Sequence, residues 1–386
     1  MAPQVGSRYP STDAPIAGYR LRAERVLVSA PRGPHRTRIA RRLRLGCPVV
    51  TRRTWTVVSA SLLALALGVL GATLPVPLVS LGPGPTYDTL GTVDGATVVE
   101  VDGLPVYPTT GHLNMTTVSV TDRLTMFDAL ALWASPDSQV VPREPIYPSS
   151  MTLDQIQQQN SAQFTSSEAN AEAAAVGELQ LPATVIVTSL VSDTPAAAIL
   201  QPGDELLAVA GQPMDSVREV SDVLVPTRPG DMVAVQYRRA GEVRDVQIPL
   251  AARPDRDQGL LGVILGARLR DGDIRIGLEG VGGPSAGLMF ALAVVDKLTP
   301  DDLAGGRFVA GTGAIEATGN VTPINGVPFK MRKAFDEGAT VFLVPAGNCE
   351  EAVATNPGLQ LVRVGTLHDA VTALESLESG GPVPAC

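Results

Sequence analysis

Residues 282–287 read Gly282-Gly283-Pro284-Ser285-Ala286-Gly287, and the chain continues as the apolar run Leu288 to Val295. Arg275 to Glu279 has the alternation of a short strand. The stretch is therefore a strand-to-helix turn, with Ser285 opening a helix that runs to Leu298. Glycines on both sides of a serine let another backbone approach closely. A helix N-terminus offers free N–H groups and partial positive charge, suited to a developing oxyanion. Lys330 follows 45 residues later, inside Pro323-Ile324-Asn325-Gly326-Val327-Pro328-Phe329-Lys330. Lys297, Lys330 and Lys333 are the only lysines among 30 basic residues, the rest being arginines. Arginine cannot give up its proton at ordinary pH, whereas a desolvated lysine can. A turn serine plus such a lysine is a nucleophile–base pair. Two other interpretations compete with it. One is a tight turn with no chemistry. The other is a nucleophile elbow at Gly283 to Gly287, which calls for an acid and then a histidine downstream. Asp301, Asp302 and Asp336 do precede His368, but only 101 residues follow Ser285, too few for that fold.

The second half of the pattern decides among them. Gly311-Thr312-Gly313-Ala314-Ile315, Gly319-Asn320-Val321, Pro323 to Val327, Lys330, Ala334 and Gly338 come in order before the strand-like Val341 to Pro345. This series resembles the proteolytic domain of Lon-type peptidases over most of 270–376. The resemblance implies Ser285 as nucleophile, Lys330 as general base and Thr312 as a group that orients the lysine. For Thr312 a strand threonine in a turn is the plainer alternative. Gly282 stands where many cytoplasmic Lon enzymes have aspartate, and Asn325 replaces a glycine of the family's P-I-G-G. Neither is part of the Ser285–Lys330 pair. Lys333 does not match the motif and reads as solvated.

Residues 180–252 have another texture. Thr184 to Leu190 is strand-like, followed by Thr194-Pro195-Ala196-Ala197-Ala198, by Leu200-Gln201-Pro202-Gly203-Asp204-Glu205, and by a helix over Ser216 to Val225. A hairpin of Met232 to Arg238 and Glu242 to Leu250 turns at Ala240-Gly241. This order resembles a bacterial PDZ domain, a class that binds peptides by strand addition. Its carboxylate-binding loop is expected near Leu179-Gln180-Leu181, without the usual glycine. Packing against, or gating, the next domain is the alternative role.

Ahead of it, residues 1–54 carry twelve arginines and two acids (Asp13 and Glu24), in a chain whose net charge is −9. Such a basic arm, poor in apolar periodicity, reads as a disordered cytoplasmic tail. Trp55 to Val79 holds no charge over 25 residues, enough to cross a bilayer. Arginines precede it, so the rest of the chain is expected outside the cytoplasm. A cleaved signal peptide is the alternative, but the leader would be long and lacks a clear cleavage site. Gly82-Pro83-Gly84-Pro85 is expected to close the span with a turn. Residues 80–179 read as a linking region with short strands, a helix at Leu124 to Trp133, and one or two helices from Ser149 to Leu179, entered at Thr152-Leu153-Asp154-Gln155.

Aromatic residues make up only 4%, which argues against a nucleic-acid stacking platform. Three histidines, at 35, 112 and 368, make no zinc constellation, and no cofactor is expected. No lysine follows a glycine, so no phosphate loop is present in this sequence. Cys47 reads as a free thiol beside the membrane. Cys349 and the terminal Cys386 either pair or stay free. The expected class is α+β: a basic tail (1–54), a transmembrane helix (55–79), a small α/β linking region (80–179), a PDZ-like β-rich domain (180–252), a Lon-type proteolytic domain (255–376) and a C-terminal tail (377–386). The resemblance implies a membrane-anchored serine endopeptidase acting without ATP on protein or peptide substrates, and a homo-oligomer. The rival is a non-catalytic membrane adaptor whose PDZ-like unit binds partners.

Overall fold

Helix α1 (Arg52–Thr73) opens the part of the chain that the computed structural model describes, residues 52–253, 256–278 and 280–386. The basic tail expected over residues 1–54, with Cys47, lies outside the described residues except for Arg52, Arg53 and Thr54. Two units are separated, residues 1–61 and residues 62–386, and both sheets and the Ser285 turn lie in the second. The uncharged run was expected to stay helical to Val79. It stops at Thr73 because Pro75 and Pro77 supply no N–H and clash with the preceding turn. Leu78 and Val79 instead open a strand, in which Val79 is fully buried.

In chain order the elements are β1 (Leu78–Asp88), β2 (Thr92–Val93), β3 (Ala96–Thr97), β4 (Val99–Asp102), β5 (His112–Thr121), α2 (Met126–Trp133), β6 (Gln139–Pro142) and α3 (Leu153–Glu178). A second group follows: β7 (Ala183–Leu190), β8 (Glu205–Val209), β9 (Gln212–Pro213), α4 (Val217–Leu224), β10 (Met232–Arg239), β11 (Glu242–Pro249) and β12 (Val263–Leu269). The last group is β13 (Asp273–Ile276), α5 (Gly287–Leu298), β14 (Phe308–Gly311), β15 (Ala314–Ile315), β16 (Val321–Thr322), α6 (Val327–Asp336), β17 (Val341–Pro345), α7 (Cys349–Thr355), β18 (Gln360–Val364) and α8 (Leu367–Glu378). Helices α2, α3, α4 and α8 each begin with a reciprocal capping box, at Thr125/Asp128, Thr152/Gln155, Ser216/Glu219 and Thr366/Asp369.

One six-stranded sheet, in the order β18-β17-β14-β5-β1-β6, joins strands from both ends of this list. Strand β5 runs parallel to β14, with Leu113 opposite Val309, and antiparallel to β1. Residues 80–179 are therefore not a linker. They supply three of the six strands of the sheet that carries the C-terminal motif, and β4 pairs with β13 just before the Ser285 turn. Gly82 to Pro85 do not form a turn either. They lie inside β1, at a register shift between Pro83 and Thr86. Strand β6 pairs only with Leu78 to Leu81, so the prolines sit on an open edge where a missing N–H disrupts no strand pairing.

The sheet is covered on both faces. Along β17, Val341 and Leu343 face the cluster built on α5, while Phe342 and Val344 face the one built on α6 and α7. Residues Leu288 to Val295 of α5 are fully buried, and Phe164 of α3 meets Phe290 edge-on at 5.7 Å.

The middle group forms a second sheet, in the order β11-β10-β8-β7-β12. Its last strand is β12, which pairs antiparallel with β7. The PDZ-like unit thus extends to Leu269, not 252, and is inserted between α3 and β13. Residues 377–386 are not a loose tail. The Arg363 N–H donates to Pro384 O at 2.8 Å, Ala385 bridges to Val362, and Cys386 forms a disulfide with Cys349. The open edge of β18 is covered in this way.

Candidate active site

The serine turn is shaped by its close neighbours. Helix α5 starts at Gly287 with Ala286 as its N-cap, so Ser285 lies just before the helix and does not begin it. Gly283 has φ +90°, a left-handed backbone that suits glycine. A Cβ on Gly287 would lie 2.7 Å from Ile315 Cγ2 and 2.8 Å from Ser167 Oγ, so that position admits no side chain. The Gly313 N–H donates to Ser285 O at 2.9 Å, and the Leu288 N–H donates to Gly313 O at 3.1 Å. The start of α5 thus lies next to Ser285, and the leading N–H groups of a helix are of the kind that can meet an oxyanion.

Helix α6 brings the lysine. Gly326 is its N-cap, in the left-handed region at φ +79°, and Pro328 lies in its first turn. Asn325, the departure from the family pattern, is exposed one residue ahead. Lys330 then falls on the buried face with Val327, Met331 and Ala334. Its Nζ donates to Ser285 Oγ at 2.7 Å and to Thr312 Oγ1 at 2.8 Å. Thr312 Oγ1 in turn donates to Ser285 O at 3.0 Å. Lys330 is 2% exposed and Thr312 is fully buried. Burial alone lowers the Lys330 amine from 10.5 to about 7. All three residues singled out in the sequence therefore meet at one point. The other two lysines are engaged elsewhere. Lys297 donates to Val99 O at 2.6 Å, tying α5 to β4, and Lys333 pairs with Glu337 at 2.9 Å.

A cleft of about 650 Å³ opens over Ser285. The turn itself forms one wall, and Pro323 to Asn325 another. Tyr87, Met115, Thr117 and Val118 also line it, all from the region expected to be a linker.

Helix α3 supplies residues that the sequence did not single out. Asn160 O accepts from the Gly283 N–H at 3.1 Å. Ser167 Oγ donates to Pro284 O at 3.0 Å, and Asn170 Nδ2 donates to Ile315 O at 3.0 Å. Spacings of seven and three residues put them on one helical face. In a helix rich in Gln, Ser and Ala, that face has no local mark distinguishing it from a solvated one. Asn160 also bears on Gly282: a Cβ there would sit 3.0 Å from the Asn160 Cβ, a tight approach that aspartate could make only if α3 shifted slightly.

The groove of the inserted unit is not where the sequence placed it. Leu179 is the C-cap of α3, and Gln180 follows at φ +51°. A glycine-bearing loop, Gly259-Leu260-Leu261-Gly262, leads instead into β12 and faces Val217, Val220 and Leu224 of α4 across a groove of about 420 Å³. The strand follows the other elements of its sheet in the chain, so a search ahead of Thr184 could not find it. Glu316 to Thr318, the β15–β16 turn, also line this groove. The same hairpin gives Ala314 and Thr322 to the Ser285 cleft. His368 is exposed and its Nδ1 lies 2.7 Å from Glu178 Oε1; this pairing raises its pKa.

Residues 277–367 match the family model of the Lon protease (S16) C-terminal proteolytic domain, and residues 155–250 match the PDZ domain model. "Lon protease 2" of Herpetosiphon aurantiacus is 39% identical over 88 residues, 22% of this chain and 11% of that protein. "Lon protease 2" of Bacillus subtilis is 30% identical over 113 residues, 28% of this chain and 20% of that protein. The chain thus spans only a tenth to a fifth of the length of these relatives. Among solved structures, the PDZ domain of the SdrC-like protein from Listeria monocytogenes is 28% identical, covering 21% of this chain and 85% of that one at a TM-score of 0.20. Its counterpart from Listeria innocua is 29% identical, covering 21% and 92% at a TM-score of 0.20. The chain joins a PDZ domain to a Lon-type proteolytic domain.

Proposed function

We propose that this PDZ-containing Lon-type protease is a membrane-anchored endopeptidase that cuts exported polypeptides through Ser285 and Lys330, without ATP. The observation that carries the proposal is the buried Lys330 Nζ, 2.7 Å from Ser285 Oγ. With the amine lowered to about 7, much of it is neutral at physiological pH and able to act as a base. Its lone pair takes the Ser285 hydroxyl proton as Oγ bonds to the scissile carbonyl carbon. The carbonyl oxygen becomes an oxyanion facing the start of α5. The intermediate collapses, the C–N bond breaks, and the Lys330 ammonium gives its proton to the leaving amine. Water then attacks the acyl ester, losing its proton to Lys330, which returns it to Ser285 as the carboxylate leaves. Thr312 orients the amine by accepting one of its hydrogens.

The membrane part rests on α1, whose 22 residues extend about 33 Å against a hydrocarbon core of about 30 Å. Arg52 and Arg53 at its start favour a cytoplasmic N-terminus. The Cys349–Cys386 disulfide suits an oxidising compartment. ATP independence rests on the missing phosphate loop. Strand β12, at the edge of its sheet beside α4, would take a substrate segment as an added strand. Self-assembly is expected of a Lon-type domain and is read by sedimentation.

The test is cleavage of an unfolded protein by the full-length chain in detergent without nucleotide, compared with Ser285→Ala and Lys330→Ala. Loss of cutting in both variants supports the pair. Equal cutting by all three refutes it. An intact chain that cuts nothing yet retains a bound partner would favour the adaptor function.

A further inference from the structure

Helix α2 turns its apolar side outward. Met126, Leu130 and Trp133 recur at helical spacing, and Phe127 flanks them. Leu130 is 54% and Trp133 75% exposed, while Ala129 is the buried residue of the helix. A surface helix ordinarily shows the reverse arrangement. An exposed patch of this kind marks an interaction site. Its only acid, Asp128, is turned back to cap Thr125.

The position of α2 says what covers it. The Val76 N–H donates to Leu124 O at 2.8 Å, and Pro75 bridges to Thr125, so α2 starts beside the end of α1. A Cβ on Gly71 of α1 would lie 2.7 Å from Met126 Cε, so Met126 packs directly on that helix end. Eight residues of helix extend only about 12 Å from this point. The length of α1 puts its end near the boundary between hydrocarbon and headgroups. Tryptophan is the residue enriched at that depth.

We propose that the outward face of α2, centred on Leu130 and Trp133, lies in the lipid interface and seats the Ser285 cleft at a fixed attitude to the bilayer. The proposal rests on α1 being a membrane span. It makes α2 a second, in-plane contact continuous with that span.

The chain contains two tryptophans, Trp55 in α1 and Trp133 in α2, which separate the two claims. Full-length chain is reconstituted into phosphatidylcholine–phosphatidylglycerol vesicles brominated either near the glycerol end or near the methyl end of the acyl chains. Trp55→Phe reports Trp133, and Trp133→Phe reports Trp55. The expected result is that Trp133 emission is blue-shifted and falls about twofold with the shallow bromines and less with the deep ones. Leu130→Asp, at an exposed position, should weaken that quenching while circular dichroism stays unchanged. Quenching of Trp55 with none of Trp133 overturns the proposal and leaves the span intact. Quenching of neither overturns both. A Trp133 blue shift that bromine does not affect, but that grows with protein density, assigns the face to a second copy and also overturns it.

Discussion

Cleavage should rise about tenfold between pH 6 and pH 8 and then level off. The perturbation is the protonation of one amine. With Lys330 lowered to about 7 by burial, about one molecule in eleven carries the neutral base at pH 6 and about ten in eleven at pH 8. At the ordinary lysine value of 10.5, only about 0.3% would be neutral at pH 8 and the rate would still be climbing. The position of the plateau therefore reads the desolvation of Nζ. Among the described residues burial is the cause of the shift, so it should change little with salt. The assay is kcat/KM for a fluorogenic unfolded substrate at several pH values and constant ionic strength, which reports groups on the free enzyme. Lys330→Arg keeps a cation but offers no base, and should cost about 10³-fold or more at every pH. A slope-one rise continuing through pH 9, or a flat profile from 6 to 8, would refute Lys330 as a buried base. So would an active Lys330→Arg.

The same burial has a stability consequence. The folded pKa lies below the unfolded one, so the unfolded chain binds the extra proton between about 7 and 10.5, and stability rises with pH across that window. Lys330→Met removes this penalty, about 4 kcal/mol at pH 7, against two lost hydrogen bonds of about 1 kcal/mol each. The variant should melt higher than the parent at pH 7 and lose that advantage near pH 10, as followed by thermal unfolding. Ser167→Ala leaves Pro284 O without its donor and should lower kcat/KM about tenfold, mostly through kcat. A fall in melting temperature with unchanged kcat would make Ser167 merely structural. Gly262→Ala puts a Cβ 2.3 Å from Thr194 Oγ1 at φ +81°, which should cost about 2 kcal/mol and disturb the groove loop. Proteolysis of that loop and peptide binding by β12 should show the change, whereas wild-type behaviour in both would contradict the described packing.

Much of the candidate site could be read locally. The Ser285 turn, Thr312 and the Lys330 helix are each marked by residues within a few positions, because glycine, proline and capping chemistry act at that range. Gly338 follows the end of α6, as its place in the sequence suggests, although the helix starts at Val327, two residues before Phe329; Thr152 and Gln155 start α3 with a capping box. Other features had no such mark. Ser167 and Asn160 look like any polar residues of a solvated helix until α5 and its turn pack beside them.

The order of residues, by itself, determined which side chains could do chemistry, where a helix long enough for a bilayer begins, and that a PDZ-like segment precedes the Lon-like one. Only the tertiary structure decided how these pieces close. Strand pairing joins residues far apart in sequence, such as Leu113 with Val309, and alternating apolar residues do not name their partner. Hence residues 80–179 look like a linker in sequence although they supply three of the six strands of the sheet beneath Ser285 and Lys330. In the same way nothing local marks β12 as a partner of β7, or the Cys386 end as the cover of β18. The shift of Lys330 has the same origin. It comes from desolvation by groups that surround the amine from separate elements, and no local stretch of sequence contains them.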